Sequence, residues 1–448
     1  MTTRREFLCQ QIQLIDGVAP NAAIALNKHQ KMAWSPFQFF RGTAQLFYAD
    51  LAQGVLVLPD LLLAKPGQTF IMGDCHLTNF GFLTEEGSQG EQVIFSPDDF
   101  DDACVGYGVW DLARYLTSLA LASDFGCGLL EGRYLTDELA IDDDLNAVNK
   151  DDIHQACEAF LSAYLKTLQH VIEDNDARYN VLKKFDDDHV LDKYCRKATK
   201  RAAGGKDFLS KSQLAKSTTF ADGRLRFADK PLKYLRIDAT EIDAAEYKEA
   251  ETTFRPYLDD DVLDIVIRLD AGTGSNNVGR YYFLVGPNDV RSIDDLPLCH
   301  IVEVKQQRQA APIFAFPDIS PVNSLNPAHL TADCQRFMQR RPDLLLDEVI
   351  WRDKHWLVRS RHHARLSVKP EDLVLNDKDP CTAFCQYASA CGEALALAHS
   401  RGDRRSVRFE QFMVESLPGN EDALITACQQ YSEQVIEDYK IHCALLEK

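Results

Sequence analysis

The sequence predicts an α+β protein in which a small antiparallel-sheet unit interrupts a larger helical one. Three observations predict it. Runs rich in β-branched and aromatic residues, "LDIVIRL", "RYYFLVG" and "LCHIVEVK", cluster in the middle of the chain. Long segments with helical periodicity flank them on both sides. At 448 residues the chain exceeds what one ordinary core organises, so two or more units are expected. The predicted division is a helical unit over 1–221, a strand-rich unit over 222–360 and a return to helix over 361–448.

The elements follow in order. "GTAQLFYADLAQGVLVLPDLLL" reads as a helix and then a connection. "QTFIMGD" and "EQVIFSPDDF" read as short strands around a polar loop. "VWDLARYLTSLALA" keeps its apolar residues on one helical face. "DIHQACEAFLSAYLKTLQHVIED" starts at an acidic cap and keeps a helical period. "RYNVLKKF" and "VLDKYCRKATKRAA" continue a mostly helical section to about Ser217, with the basic run from Arg196 to Arg201 on a solvated face. In the strand-rich unit one helix is expected, at "NPAHLTADCQRFMQRR", where Asn326 caps and Pro327 fits the first turn. "DEVIWRDKHWLVRS" reads as a hairpin turning at Arg352 to Lys354. After Pro370, "CTAFCQYASACGEALALAHSRG" and "EDALITACQQYSEQVIEDYKIHCALLEK" are helical.

Bulk chemistry removes several function classes. A formal charge of -19 argues against nonspecific binding to nucleic acid or anionic membrane, while leaving room for a local basic pocket. The 13 cysteines are scattered and form no CxxC pair, so they read as core thiols in a reducing cytoplasm. "MTTRREFLCQQIQLIDG" has no apolar h-region, and the greasiest run, "GVLVLPDLLLA", is too short to span a bilayer. A cytoplasmic protein is expected, with no nucleic-acid or membrane partner; the oligomeric state is left open.

The chemistry-bearing residues gather in three places. "FIMGDCHLTNFGFL" sets Asp74, His76 and Asn79 within six residues. That pattern suits a metal site, a phosphotransferase catalytic loop or a polar turn. "SPDDFDDACVGYGVWDLAR" follows, with Asp99 before Phe100, further charge at Asp98, Asp101 and Asp102, and Asp111 at a helix start. Far downstream, "RLDAGTGSNNVGRYYFLV" is a glycine-rich hairpin carrying Gly272, Gly274, Ser275 and Gly279. With strand on both sides and no lysine in the loop, it is neither a dinucleotide fingerprint nor a P-loop. Lys305 ends the next strand. Backbone N–H groups over a phosphate chain and a lysine on the third strand form one way of holding ATP. An ordinary hairpin and a solvated lysine form the other reading.

The pair "GDCHLTNFGF" and "DDFDDA…VWDLAR" resembles the GDxHxxN and DFD…WDLA motifs of aminoglycoside phosphotransferases and related kinase-like enzymes. Nearly the whole chain is also similar to a conserved bacterial family described only as a domain of unknown function. Further shared pieces are "FFRGTAQLFYADL", "GTGSNNVGRYYFLV", "VEVKQQ", "CGEALALAHSRGD" and "YSEQVIEDY". The resemblance implies a two-lobed protein-kinase-like fold in circularly permuted order, because Asp74 and Asp99 precede the glycine hairpin and Lys305. It implies an ATP- and Mg²⁺-dependent phosphotransferase acting on an unidentified hydroxyl acceptor. Asp74 would orient the acceptor and accept its proton, Asn79 and Asp99 would bind magnesium, and Gly272, Gly274, Ser275, Gly279 and Lys305 would hold the nucleotide. Asp111 would brace the loop and His76 would steady it. An acidic pocket would suit a cationic acceptor, as in aminoglycoside phosphotransferases, but net charge alone does not establish one.

The chain departs from that pattern at Met72, where a catalytic-loop histidine would stand. The helix at Asn326 to Arg341 has no glutamate for Lys305, leaving Asp333 or Gln335 as its partner. Arg41 is expected to be a salt-bridged anchor, with contact to acceptor or phosphate as its other role. Two rival functions are a non-catalytic nucleotide-binding regulator and, on the GDxH string, a metallophosphoesterase, for which "GNH" and "HxH" strings are absent.

Overall fold

A computed structural model describes residues 3–17, 19, 26–136, 144–221, 223–230, 233–236, 244–269, 279–376, 379–404 and 406–446. It is α+β, with small antiparallel sheets and a larger helical part. No helix of the described residues is long and apolar enough to cross a membrane.

The helical part is built on the long segments Gly108–Leu130, Lys150–Glu173, Pro380–Gly402 and Glu421–Leu446. The second starts where Asn149 and Asp152 exchange hydrogen bonds in a capping box. It packs tightly on Pro380–Gly402 because Gly392 lacks a side chain: a β-carbon there would lie 2.2 Å from the Phe160 carbonyl oxygen. Phe37, Phe47, Tyr115, Phe160, Tyr387 and Val435 share this main core, so segments from both ends of the sequence condense together.

Among the described residues the larger sheet has six strands, in the order Asp347–Trp351, Lys354–Ser360, His300–Gln306, Arg280–Val285, Val262–Arg268 and Tyr234–Arg236. All neighbours are antiparallel. Alternation gives the sheet two unlike faces. Tyr281, Phe283, Val302, Val304 and Val358 form one face, packed against Ala250 and Phe254 of the helix Ala244–Phe254. Arg280, Tyr282, Glu303, Lys305, Arg359 and Arg361 fall on the other by the strand register.

Several expected elements are present. Asn326 caps the helix Pro327–Met338, and the hairpin turns at Arg352 and Asp353, both with positive φ. Three details differ. The strand-rich section holds a second substantial helix, Ala244–Phe254, not one alone. "RYNVLKKF" is not helical: only its first two residues end the short 3₁₀ turn Asn175–Tyr179, and Leu182 then bridges Phe95 at a sheet edge. The hairpin of Thr218–Ala221 and Arg224–Phe227 straddles the boundary expected at 222.

Two further sheets position the polar loops. The strand Gln68–Ile71 pairs with Cys104–Tyr107, while Phe80–Thr84 pairs with Val93–Pro97. The loop 72–79 and the loop 98–103 therefore each cross between the same two sheets, side by side.

Candidate functional site

The first loop is held from below by the helix Gly108–Leu130. Asp111 is fully buried and accepts from the backbone N–H groups of Met72 (2.7 Å) and Gly73 (3.1 Å). Its Oδ2 also lies 3.1 Å from His399 Nε2. Ser118 accepts from the Leu77 N–H (3.0 Å), and the Tyr48 and Tyr387 hydroxyls donate to the carbonyls of Gly73 (2.6 Å) and Leu77 (2.8 Å). Gly73 takes φ of +73°, and a β-carbon there would lie 1.8 Å from the Asp102 carbonyl oxygen. The two loops touch backbone to backbone at that point.

Arg114 clasps Asp74: its Nε donates to Oδ1 at 2.7 Å, and its guanidinium stacks 4.1 Å from the Phe40 ring centroid. Burial raises the Asp74 pKa and Arg114 opposes the rise, while Asp99 adds to it. Asn79 donates through its amide to the Asp74 carbonyl (2.9 Å), and its own carbonyl accepts from the Asp98 N–H (3.1 Å). The Asn79 amide oxygen has no hydrogen-bond partner among the described residues. His76 is buried beside Thr78 Oγ1 (3.1 Å), and burial with Arg41 and Arg114 nearby pushes its pKa well down. A neutral, enclosed imidazole fits the steadying role.

In the second loop the aspartates divide their tasks. Asp102 accepts from the Ala311 N–H (2.8 Å) and pairs with Arg308 (3.3 Å). Asp98 lies 3.4 Å from Arg365. Asp101 pairs with Lys305. Asp99 accepts the Asp101 N–H on one oxygen (3.1 Å). Its other oxygen has no hydrogen-bond partner among the described residues.

Lys305 therefore takes its carboxylate from the acidic loop, not from the helix Pro327–Met338. The expected partners are engaged elsewhere: Asp333 with Arg336 (3.0 Å) and His329 (3.1 Å), and Gln335 with Gln339 (3.1 Å). Burial pushes the Lys305 pKa down to about 7; Asp99 opposes the fall, and Arg359, Arg308 and Arg365 add to it.

Asn79, Asp99 and Lys305 line one cavity of about 500 Å³. Asp74 is not among the residues lining that cavity, but it lies close enough to Asp99 for that carboxylate to raise its pKa. Gly279 packs near Trp356, where a β-carbon would meet the indole at 2.8 Å, and its carbonyl accepts from the Gln306 N–H (2.9 Å). Gly272, Gly274 and Ser275 lie outside the described residues.

Arg41 corrects its expected role. It lines the same cavity and makes no ion pair with any described residue; its Nη1 donates to Gln38 (2.9 Å) and its buried Nε is unpartnered. Burial lowers its pKa against the pull of Asp74, Glu371 and Asp99.

Sequence reasoning missed Arg114 and the cavity's overall sign. Arg114 stands three residues after Asp111, a spacing that puts both on one helix face, and that was its available signal. Eight cationic side chains line the cavity against three carboxylates. This local excess runs against the net charge of -19 and against a cationic acceptor. Among the described residues no group of three or more His, Cys, Asp or Glu is placed to hold a metal ion, so any ion here needs oxygens from a ligand as well as Asn79 and Asp99.

A family model described as an uncharacterized protein conserved in bacteria (DUF2252) matches residues 21–125 and 139–445. No curated protein and no solved structure matches the chain.

Proposed function

The chain belongs to this family of proteins conserved in bacteria, and from the geometry of its cavity we propose that it is an ATP- and magnesium-dependent phosphotransferase of permuted, protein-kinase-like fold acting on a hydroxyl acceptor. The observation that carries the reading is the convergence of Asn79, Asp99 and Lys305 on one cavity from segments far apart in sequence. Lys305 stands on the third strand of the run Val262–Arg268, Arg280–Val285 and His300–Gln306, before the helix Pro327–Met338. That is where a kinase carries its phosphate-binding lysine.

The permuted order has its own support. The helix Pro380–Gly402 ends against the strand Gln68–Ile71, with the Thr69 hydroxyl donating to the His399 carbonyl at 2.9 Å. A helix that would run directly into the catalytic loop of an unpermuted chain thus abuts that loop's strand. Chain ends close together at a surface tolerate such rewiring.

In this reading Asp74 orients the acceptor hydroxyl and takes its proton through the oxygen not held by Arg114. Asn79 and Asp99 present free amide and carboxylate oxygens, the hard donors that magnesium takes alongside phosphate oxygens. Magnesium would neutralise charge on the transferring phosphate. Lys305 holds phosphate, exchanging Asp101 for it or sharing the ammonium with both.

The test is γ-phosphate loss from Mg-ATP by the purified protein and by Asp74→Ala. Turnover in the wild type that falls at least a hundredfold in the variant supports transfer. A second reading, a nucleotide-binding regulator, is favoured by the engagement of Asp74 with Arg114 and of Lys305 with Asp101. Mg-ATP binding without wild-type turnover would select it.

A further inference from the structure

The cavity is polar in an uneven way. Most of its aromatic and aliphatic lining, Trp34, Phe125, Leu135, Val368 and Pro370, lies off the six-stranded sheet, which adds the Tyr282 ring. The wall made by the six-stranded sheet carries Arg280, Glu303, Lys305, Arg359 and Arg361 on one face. A flat, largely apolar base packs best on an apolar wall, and ligand pockets usually supply one with a few polar groups. Here the sheet wall is the charged side.

Among the described residues, carboxylates offset only part of the charge on that wall. Arg359 and Arg280 both pair with Glu303, at 2.9 and 3.1 Å. Glu303 is buried; despite that burial, the two guanidiniums hold its carboxyl well below the usual range. Arg361 pairs with no carboxylate among the described residues. It reaches only the Tyr282 hydroxyl and the Gln213 amide oxygen (3.3 Å), and its buried Nε is unpartnered. Arg365 stands 3.4 Å from Asp98. Arg361 is half-buried with its Nε enclosed and unpartnered, an arrangement that an anionic ligand would relieve.

The row has length as well as charge. Lys305 is in register with Leu357, four residues before Arg361 on the neighbouring strand. At a rise of about 3.3 Å per residue the two positions are roughly 13 Å apart along the sheet. Lys305, Arg359, Arg361 and Arg365 all line the same cavity, which suits a chain of phosphates better than one isolated anion. Planar guanidinium forks match phosphate oxygens two at a time.

We propose that the sheet wall from Lys305 to Arg361 and Arg365 is an oligophosphate subsite, so that a nucleotide lies with its phosphate chain along the arginines and its base toward Trp34, Phe125 and Leu135. This rests on the nucleotide-binding reading above but not on the transfer chemistry.

The test is calorimetric titration of the full chain with Mg-ATP, with inorganic triphosphate plus Mg²⁺, and with adenosine. Triphosphate is expected to bind within about tenfold of ATP, and adenosine at least a hundredfold more weakly. Arg361→Gln and Arg365→Gln are each expected to weaken triphosphate at least tenfold, with Arg361→Lys recovering part of the loss. Unchanged thermal midpoints separate lost contacts from lost folding. Adenosine binding as tightly as ATP would overturn the subsite, as would triphosphate affinity within twofold of wild type in Arg361→Gln. Triphosphate binding without ATP binding supports the subsite and removes the nucleotide reading, so the two claims fail separately.

Discussion

Replacing Gly73 with alanine probes the junction of the two acidic loops. Gly73 has φ of +73°, a conformation that costs a residue with a β-carbon about 1–2 kcal/mol. The added carbon would stand 1.8 Å from the Asp102 carbonyl oxygen and 2.7 Å from its carbonyl carbon. Both neighbours are backbone, so relief requires one loop to move; overpacking of this kind costs a further ~1–3 kcal/mol. The expected destabilisation is about 2–5 kcal/mol. Gly54 provides an internal control, because its φ is +70° and nothing lies within 4 Å of its added β-carbon. Gly54→Ala should cost only the backbone share, about 1–2 kcal/mol. Urea midpoints of the two variants measure the difference. Because Asp102 follows Asp99 and Asp101 in the moving loop, Gly73→Ala should also weaken Mg-ATP binding, while Gly54→Ala should not. Equal midpoints for the two variants would refute the backbone-contact argument.

Asp111→Ala strips the acceptor from two buried N–H groups, at about 1–3 kcal/mol each, so urea unfolding should register a loss of about 2–6 kcal/mol. Asp111→Asn keeps one acceptor and should recover part of that; equal losses in the two variants would remove the brace. Lys305 has its pKa pushed from 10.5 to about 7 in the free protein, and an arriving phosphate favours its charged form. Between about pH 7 and 10.5, phosphate binding should therefore take up a proton and weaken as pH rises, which calorimetry in buffers of different ionisation enthalpy detects. For stability the sign is opposite: the unfolded lysine stays protonated where the folded one does not. The cost of burying Lys305 is thus greatest below about pH 7 and shrinks toward pH 10.5.

Much of the site was legible because local patterns carried it. The GDxHxxN string fixes Asp74 and Asn79 on one short loop, and the strand pairing beside it brings Asp99 alongside. The helix Pro327–Met338 and the hairpin at Arg352 were legible because caps and turn residues are local signals. The helix Ala244–Phe254 was not, because only Ala250 and Phe254, four apart, are buried in it, too narrow a stripe to stand out. The segment around Leu182 has a helical composition, but its bridge to Phe95 captures it as extended chain. Ion partners were the least legible. Lys305 finds Asp101 and Asp74 finds Arg114 across tertiary contacts that no spacing encodes for the first and only a helix-face argument suggests for the second. Arg359 and Arg361 alternate, so a strand would put both on one face; which face met the cavity depended on Glu303 and Arg280 from other strands.

The most direct test of the proposed nucleotide and metal site is the magnesium dependence of ATP affinity in the wild type, Asp99→Asn and Lys305→Ala. The wild type should bind ATP more tightly with Mg²⁺ than without. Asp99→Asn should lose most of that enhancement while keeping metal-free binding, and Lys305→Ala should lose affinity in both conditions. No ATP binding by the wild type, or an enhancement unchanged in Asp99→Asn, would contradict the account.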